Sequence, residues 1–229
     1  MLREEEAGSV LIRRHDRARR LGLRIDRRRA LAVCTAPMGA SARQIDQFIS
    51  QHQGWIKAQL DRLPQRLRFI PGSFVPLYDV PHLIQHGDHL PRAPQINEGT
   101  IHVGGPVDRL EDRILRWLRA MAQDHLATQA CQHASRLDVE LGRVRVRDTI
   151  SRWGSCTAAG DLSFNWRLVL APPMIGDYVA AHEVAHRLHM DHSPHFWAVV
   201  DRLVPHRHEA RLWLRQHGEA LMRMGPPPG

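Results

Sequence analysis

One short stretch carries the residue types and spacing of hydrolytic metal chemistry. Ala181 to His195 reads A-H-E-V-A-H-R-L-H-M-D-H-S-P-H, and within it His182, Glu183 and His186 form H-E-x-x-H. On a helix, residues four apart share a face one turn apart, so the rings of His182 and His186 can meet a single cation. Neutral imidazole is a good zinc ligand, and catalytic zinc usually takes three protein ligands and leaves one position for water. Glu183 lies on the same turn, offset from both rings. A carboxylate there can take a proton from that water without filling a coordination site.

The third ligand has several candidates. His189 shares the helical face, but it lies seven residues beyond His182, about 10 Å of rise, too far for both rings to reach one metal. The ligand should therefore arrive after the helix has ended and the chain has turned back. Asp191 and Ser193-Pro194 are turn formers, and Pro194 disfavours helix at Ser193. Spacing ranks His192 first, a Glu or His elsewhere in the chain second, and His195 third.

The elements that must position these residues are readable from pattern. Pro172 and Pro173 followed by an apolar run to Ala181 predict the helix that bears the motif. Val144, Val146 and Thr149 alternate with Arg143, Arg145 and Arg147 as a strand. Leu162–Leu168 predicts a second strand after a turn at Ala159-Gly160-Asp161. Such a hairpin can form the floor or edge of a cleft, and an exposed edge can hold an extended peptide by strand addition. Trp153, Cys156 and Asn165 are expected to hold it against the helix. Phe196 to Leu203 continues as a helix that Pro205 stops, and Glu209–Leu221 is the last helix.

Upstream, residues 9–36 read as strands, with Leu21, Leu23, Ile25 and then Leu31, Val33, Thr35 forming a hairpin. Ser41 with Gln44 resembles a capping box that opens an amphipathic helix ending near Pro64. Trp55 and Trp117 are expected in the core. Short strands are expected at Phe74–Leu77, Leu83–Gln85 and Thr100–Val103, and His82, His86, His89 and His102 in that region read as surface residues. Asp108 opens a long helix to about Leu137. The fold class is α+β. A strand-rich region with one amphipathic helix spans 1–107. A mainly helical region spans 108–224, with a β-hairpin beside the motif helix. A disordered tail spans 225–229.

Composition narrows the function classes. The 229 residues are 43% hydrophobic with a formal charge of +8, and Lys57 is the only lysine. The arginines look scattered over solvent-facing positions, so nucleic acid is not the expected partner. Cys34, Cys131 and Cys156 are widely spaced without C-x-x-C, which favours free thiols in a reducing compartment. No signal peptide and no apolar run of membrane-spanning length is present, so a cytoplasmic location is expected, away from membranes.

The match then extends beyond the five-residue motif. R-W-G-S-C at Arg152 to Cys156, N-W-R-L at Asn165 to Leu168, Tyr178-Val179 before H-E-V-A-H, and M-D-H-S-P-H-F-W at Met190 to Trp197 follow in order. The chain resembles the YgjP-like metallopeptidase-domain family, related to the SprT and WLM groups of zinc proteases. The resemblance covers most of the chain and is strongest from about 143 to 214. It implies a zincin-like catalytic half, with His182, His186 and His192 as metal ligands and Glu183 as general base. The spacing from His182 to His192 also equals that of the metzincin signature. His189 replaces that signature's glycine, however, and no Met-turn is evident, so the chain is not placed among metzincins.

The leading expectation is a zinc-dependent metallohydrolase acting on peptide bonds, with a peptide or protein substrate. Tyr178, one turn before His182, and Arg152 are the candidate donors to a developing oxyanion. One alternative keeps the site and changes the substrate to a nucleotide phosphoanhydride held by arginines. Another is a non-catalytic nucleic-acid-binding protein with structural zinc. Manganese, nickel or cobalt also suit imidazole ligands.

Overall fold

The computed structural model describes residues 3–7 (backbone only), 10–149 and 151–226. The chain forms two compact units, one within residues 1–65 and one over Arg66–Pro226. The break expected at 107/108 falls inside the second unit. Residues 66–107 are strand-rich, as expected. Yet their apolar side chains Phe69, Val75, Leu77, Ile84, Ile101 and Val103 share one core with the helices that follow. Strand content was a poor guide to the boundary because a sheet and helices can bury each other's apolar faces.

The first unit holds β1 (Arg3–Ala7), β2 (Val10–His15), β3 (Gly22–Asp26) and β4 (Leu31–Pro37), followed by α1 (Ala42–Gln51) and α2 (Gln53–Asp61). Its sheet runs β1-β2-β4-β3. The β3–β4 pair is the expected antiparallel hairpin, with Leu23 opposite Cys34, and β2 joins β4 in parallel. Ser9, at the start of the expected strand region, lies outside the described residues. Period-two alternation puts Val10, Ile12, Ala32, Cys34 and Ala36 on one face, where they cluster with Ile45, Ile49 and Ile56 of the helices. The capping box forms as expected, Ser41 Oγ accepting from Gln44 N and Gln44 Oε1 accepting from Ser41 N. The single expected helix is in fact two, broken at His52 (φ −108°). Trp55 is not core: it is 43% exposed, since α2 buries only Ile56.

The second unit opens with a sheet of order β5-β6-β8-β7, from β5 (Phe74–Leu77), β6 (Val80–His86), β7 (Gln95–Asn97) and β8 (Thr100–Val103). A 3-10 turn over Val107–Arg109 leads into α3 (Leu110–Leu137). Its buried residues Leu110, Ile114, Leu118, Ala122, Leu126, Ala130 and Ala134 recur every four positions. A four-residue step overshoots a full turn by about 40°, so the buried row winds around the helix. That winding lets α3 pack against several neighbours along its length, among them β9 and α4.

The strands β9 (Val144–Arg147), β10 (Gly154–Cys156) and β11 (Leu162–Asn165) follow, in sheet order β10-β11-β9. The expected hairpin is present, but it is β10–β11. The strand at Val144–Arg147 pairs with β11 in parallel, because the R-W-G-S-C segment itself supplies the antiparallel partner. The stretch expected as strand to Leu168 turns 3-10 over Trp166–Leu170. The helices α4 (Pro173–Ala185), α5 (Pro194–Leu203) and α6 (Arg207–Met222) complete the unit. Gly225 N donates to Leu67 O at 2.8 Å, so the start of the expected tail is paired. Pro227–Gly229 lie outside the described residues.

Candidate metal centre

The helix that carries the motif is buried almost all round. Ile175, Gly176, Tyr178, Val179, Ala180, Ala181, Glu183, Val184 and Ala185 of α4 are all buried, as a helix apolar on every face requires. Gly176 permits the close approach of α3: a Cβ there would lie 3.3 Å from Leu126 Cδ2 and 3.2 Å from Gln129 Oε1. His186 caps the C-terminus of α4. Asp191 then turns the chain back, its Oδ1 accepting from Ser193 N at 3.2 Å, and those Ser193 hydrogen bonds hold its carboxyl below the ordinary range. Ser193 caps α5, and Pro194 sits in its first turn. The short return brings His192 over the rings of α4.

The outcome is a group of three imidazoles. One ring nitrogen from each of His182, His186 and His192 lies within 4.8 Å of the others. The Nε2 atoms of His182 and His192 are 3.2 Å apart. Nitrogens bound at 2.0–2.1 Å to one tetrahedral zinc lie roughly 3.3 Å from each other, so the spacing fits a single cation. The His186 Nδ1–H can donate to His189 O at 3.0 Å, which leaves Nε2 with its lone pair for a metal. His182 Nδ1 is buried without a hydrogen-bond partner. Burial, then the neighbouring rings of His186 and His192, then Arg211, push His182 down to about 3. Burial lowers His186 as well. Both rings are therefore neutral near pH 7, the form that ligates. The rival candidates fall away: His189 and His195 pair with each other, ring centroids 6.0 Å apart, and neither joins the group.

Glu183 is 6% exposed. Burial raises its carboxyl to about 7, against a smaller downward pull from Arg152. It lies against the edge strand of the sheet. A Cβ built on Gly154 would sit 2.5 Å from Glu183 Oε1 and 2.8 Å from Cδ. Only a residue with no side chain fits at that point of β10. Of the expected supporting residues, Asn165 Nδ2 donates to Thr149 O at 3.0 Å, which ties β11 to the segment before β10. Trp153 packs on α6 instead, 3.3 Å from the Cβ position of Gly218.

Tyr178 is 6% exposed, with its ring edge-on to His182 at 5.9 Å. Arg152 is exposed. Sequence pattern did not single out a further group. Trp197 of α5 lies 5.6 Å from the His182 ring and 5.7 Å from the His192 ring. The guanidinium groups of Arg207 and Arg211, from α6, lie over it at 4.8 and 5.1 Å. Arg207 is also held by Asp201, while Arg211 is exposed. No spacing rule links Trp197 to the two arginines of α6, so only packing could find the group.

Comparison with known proteins agrees with this geometry. No helix among the described residues is long and apolar enough to cross a membrane. No curated protein and no solved structure matches the chain. A family profile described as YgjP-like, metallopeptidase domain, matches residues 19–217, which takes in the histidine group, Glu183 and most of both units. A metallopeptidase family implies a divalent metal, and the three imidazoles are a group that could bind it. The chain belongs to the YgjP-like metallopeptidase-domain family.

Proposed function

We propose that this protein is a zinc-dependent peptidase in which His182, His186 and His192 hold the metal and Glu183 is the general base. The observation that carries the reading is the place of Glu183. Its carboxylate belongs to the turn between two of the rings and is pressed against edge strand β10 at Gly154. A peptide lying extended along that edge would bring a carbonyl close to both the carboxylate and the imidazoles. A divalent cation held by His182, His186 and His192 would supply the Lewis acidity that acidifies a water and polarises the scissile carbonyl. Glu183 takes the proton of the attacking water and returns it to the leaving amine nitrogen. Three protein ligands, with no fourth from the described residues, favour an open catalytic position over a closed structural one. Arg152 and Tyr178 are the candidate donors to the oxyanion. The working compartment we infer is the cytoplasm.

A second reading has its own observation. Arg207 and Arg211, stacked on Trp197 beside His182 and His192, could hold the phosphates of a nucleotide whose phosphoanhydride is hydrolysed at the same centre. The test is a panel of peptides and nucleoside triphosphates incubated with zinc-loaded wild type and with Glu183→Gln. Peptide cleavage lost in the variant supports the peptidase. Pyrophosphate release lost in the variant supports the second reading. Equal turnover by the variant removes Glu183 from either mechanism.

A further inference from the structure

The positive charge of the chain is concentrated in the smaller unit. Residues 1–65 contain 13 of the 32 Lys and Arg but only 7 of the 24 Asp and Glu. That unit therefore carries +6 of the +8, and the larger unit only +2. The excess is concentrated again between Arg13 and Arg29, where nine arginines meet two aspartates. Viewed along the whole sequence these arginines look scattered. Viewed by unit, they cluster, and two of the exposed ones, Arg19 and Arg20, fall at one place on the surface.

Beside this segment lies an open groove of about 510 Å³, formed by the β2–β3 connection, the β4–α1 connection and one face of α1. Arg19 and Arg20 line one wall and both are exposed. The other wall is Gln44, Gln47, Phe48 and Gln51. Their spacing of three, one and three residues places all four on one helical face, next to the buried stripe of Ile45 and Ile49. Gln44 Oε1 already accepts from Ser41 N, which leaves its amide N–H groups for a ligand. Phe48 is half-buried, its ring resting on His52 at 4.4 Å. Arg14 fixes the rim between β4 and α1 by donating to Ala40 O at 2.7 Å.

We propose that this groove binds single-stranded nucleic acid. Arginines on one wall pair with backbone phosphates, amides on the other hydrogen-bond base edges, and the aromatic ring offers a stacking face. An acidic peptide would use the charge but neither the amide row nor the ring. A duplex keeps its bases stacked and hidden from a groove of this size. The groove shares no residue with the metal centre and requires none of its chemistry.

The test is fluorescence anisotropy of labelled 12-nucleotide oligo(dT) and oligo(U) with the full-length protein, read across a salt series, with and without chelator. The expected result is saturable, salt-sensitive binding that chelation leaves unchanged. Arg19→Glu/Arg20→Glu should weaken it at least tenfold. Arg19→Gln/Arg20→Gln should flatten the log–log salt slope by about 1.4, two phosphate contacts' worth for a single strand. Phe48→Leu should cost on the order of fivefold or more, with the slope unchanged. Because Phe48 also touches the core, Gln47→Glu, on the exposed helix face, gives the same wall an independent reading and should also weaken binding. Circular dichroism and zinc content of each variant should match wild type. Four results would overturn the proposal: no binding in 50 mM salt, binding indifferent to the arginine variants, a duplex or polyglutamate bound as well as the single strand, or UMP competing at the same concentration as the oligomer. The last would make the groove a free-nucleotide pocket. None of these results depends on whether the metal centre cleaves peptides.

Discussion

At the scale of the residue, Glu183 and Gly154 form a pair in which each explains the other. The carboxylate is buried because α4 is a core helix, and it fits because β10 has no side chain at residue 154. Gly154→Ala puts a methyl within 2.5 Å of Glu183 Oε1. The carboxylate must then move, and a displacement of about 1 Å at a catalytic group costs on the order of 10²-fold in rate. The variant should keep its zinc and lose most of its kcat, as metal analysis beside turnover would check. Glu183 also carries a stability cost. Its folded-state pKa of about 7 exceeds that of an exposed glutamate. The charged form is thus disfavoured in the folded chain above pH 7, and the cost disappears as pH falls to about 4.5 and below. In the metal-free protein, Glu183→Gln should gain up to about 3 kcal/mol at pH 8. The gain should shrink toward zero near pH 4.5 in urea titrations at the two pH values.

At the scale of the element, the segments before α4 hold the site in position. Arg167 is fully buried in the 3-10 turn that follows β11. Its guanidinium pairs with Asp148 just after β9, and its Nε donates to Met224 O at 2.9 Å. Asp148→Ala leaves a buried cation short of its carboxylate and should cost about 3–5 kcal/mol, measured by urea unfolding, with no direct effect on the histidines. Much at this scale was legible in the sequence. The capping box, the long helix (expected from Asp108, formed over Leu110–Leu137), the motif helix with its proline start and the return at Ser193-Pro194 are local signals, and each formed close to where its pattern pointed. Pairing was not legible. The β9–β11 strands looked like the hairpin because they alternate most clearly, yet the antiparallel partner of β11 is the non-alternating Gly154–Cys156. Strand order depends on which edges meet in space, and alternation within a strand carries no record of it. Arg207 and Arg211 were hidden for the same reason: α6 meets Trp197 only through packing.

At the scale of the whole molecule, the division at 65/66 separates two charge balances, +6 and +2, that composition averages together. The larger unit has its own core and contains every member of the histidine group. Residues 66–226 expressed alone should therefore unfold cooperatively and keep the zinc stoichiometry of the full chain, as calorimetry with metal analysis would establish. Free zinc at 100 times its dissociation constant should stabilise that fragment by about 2.7 kcal/mol relative to the chelated form. The boundary escaped the sequence reading because the short strands at 66–105 read as one strand-rich region with those before them, while their apolar side chains share a core with α3.

The most direct test of the central claim is zinc per chain by mass spectrometry for wild type, His182→Ala, His186→Ala and His192→Ala, purified side by side. About one zinc in the wild type, lost or greatly weakened in all three variants, is the expected result. Wild type that takes up no divalent metal, or variants that keep it in full, would contradict a three-histidine metal centre.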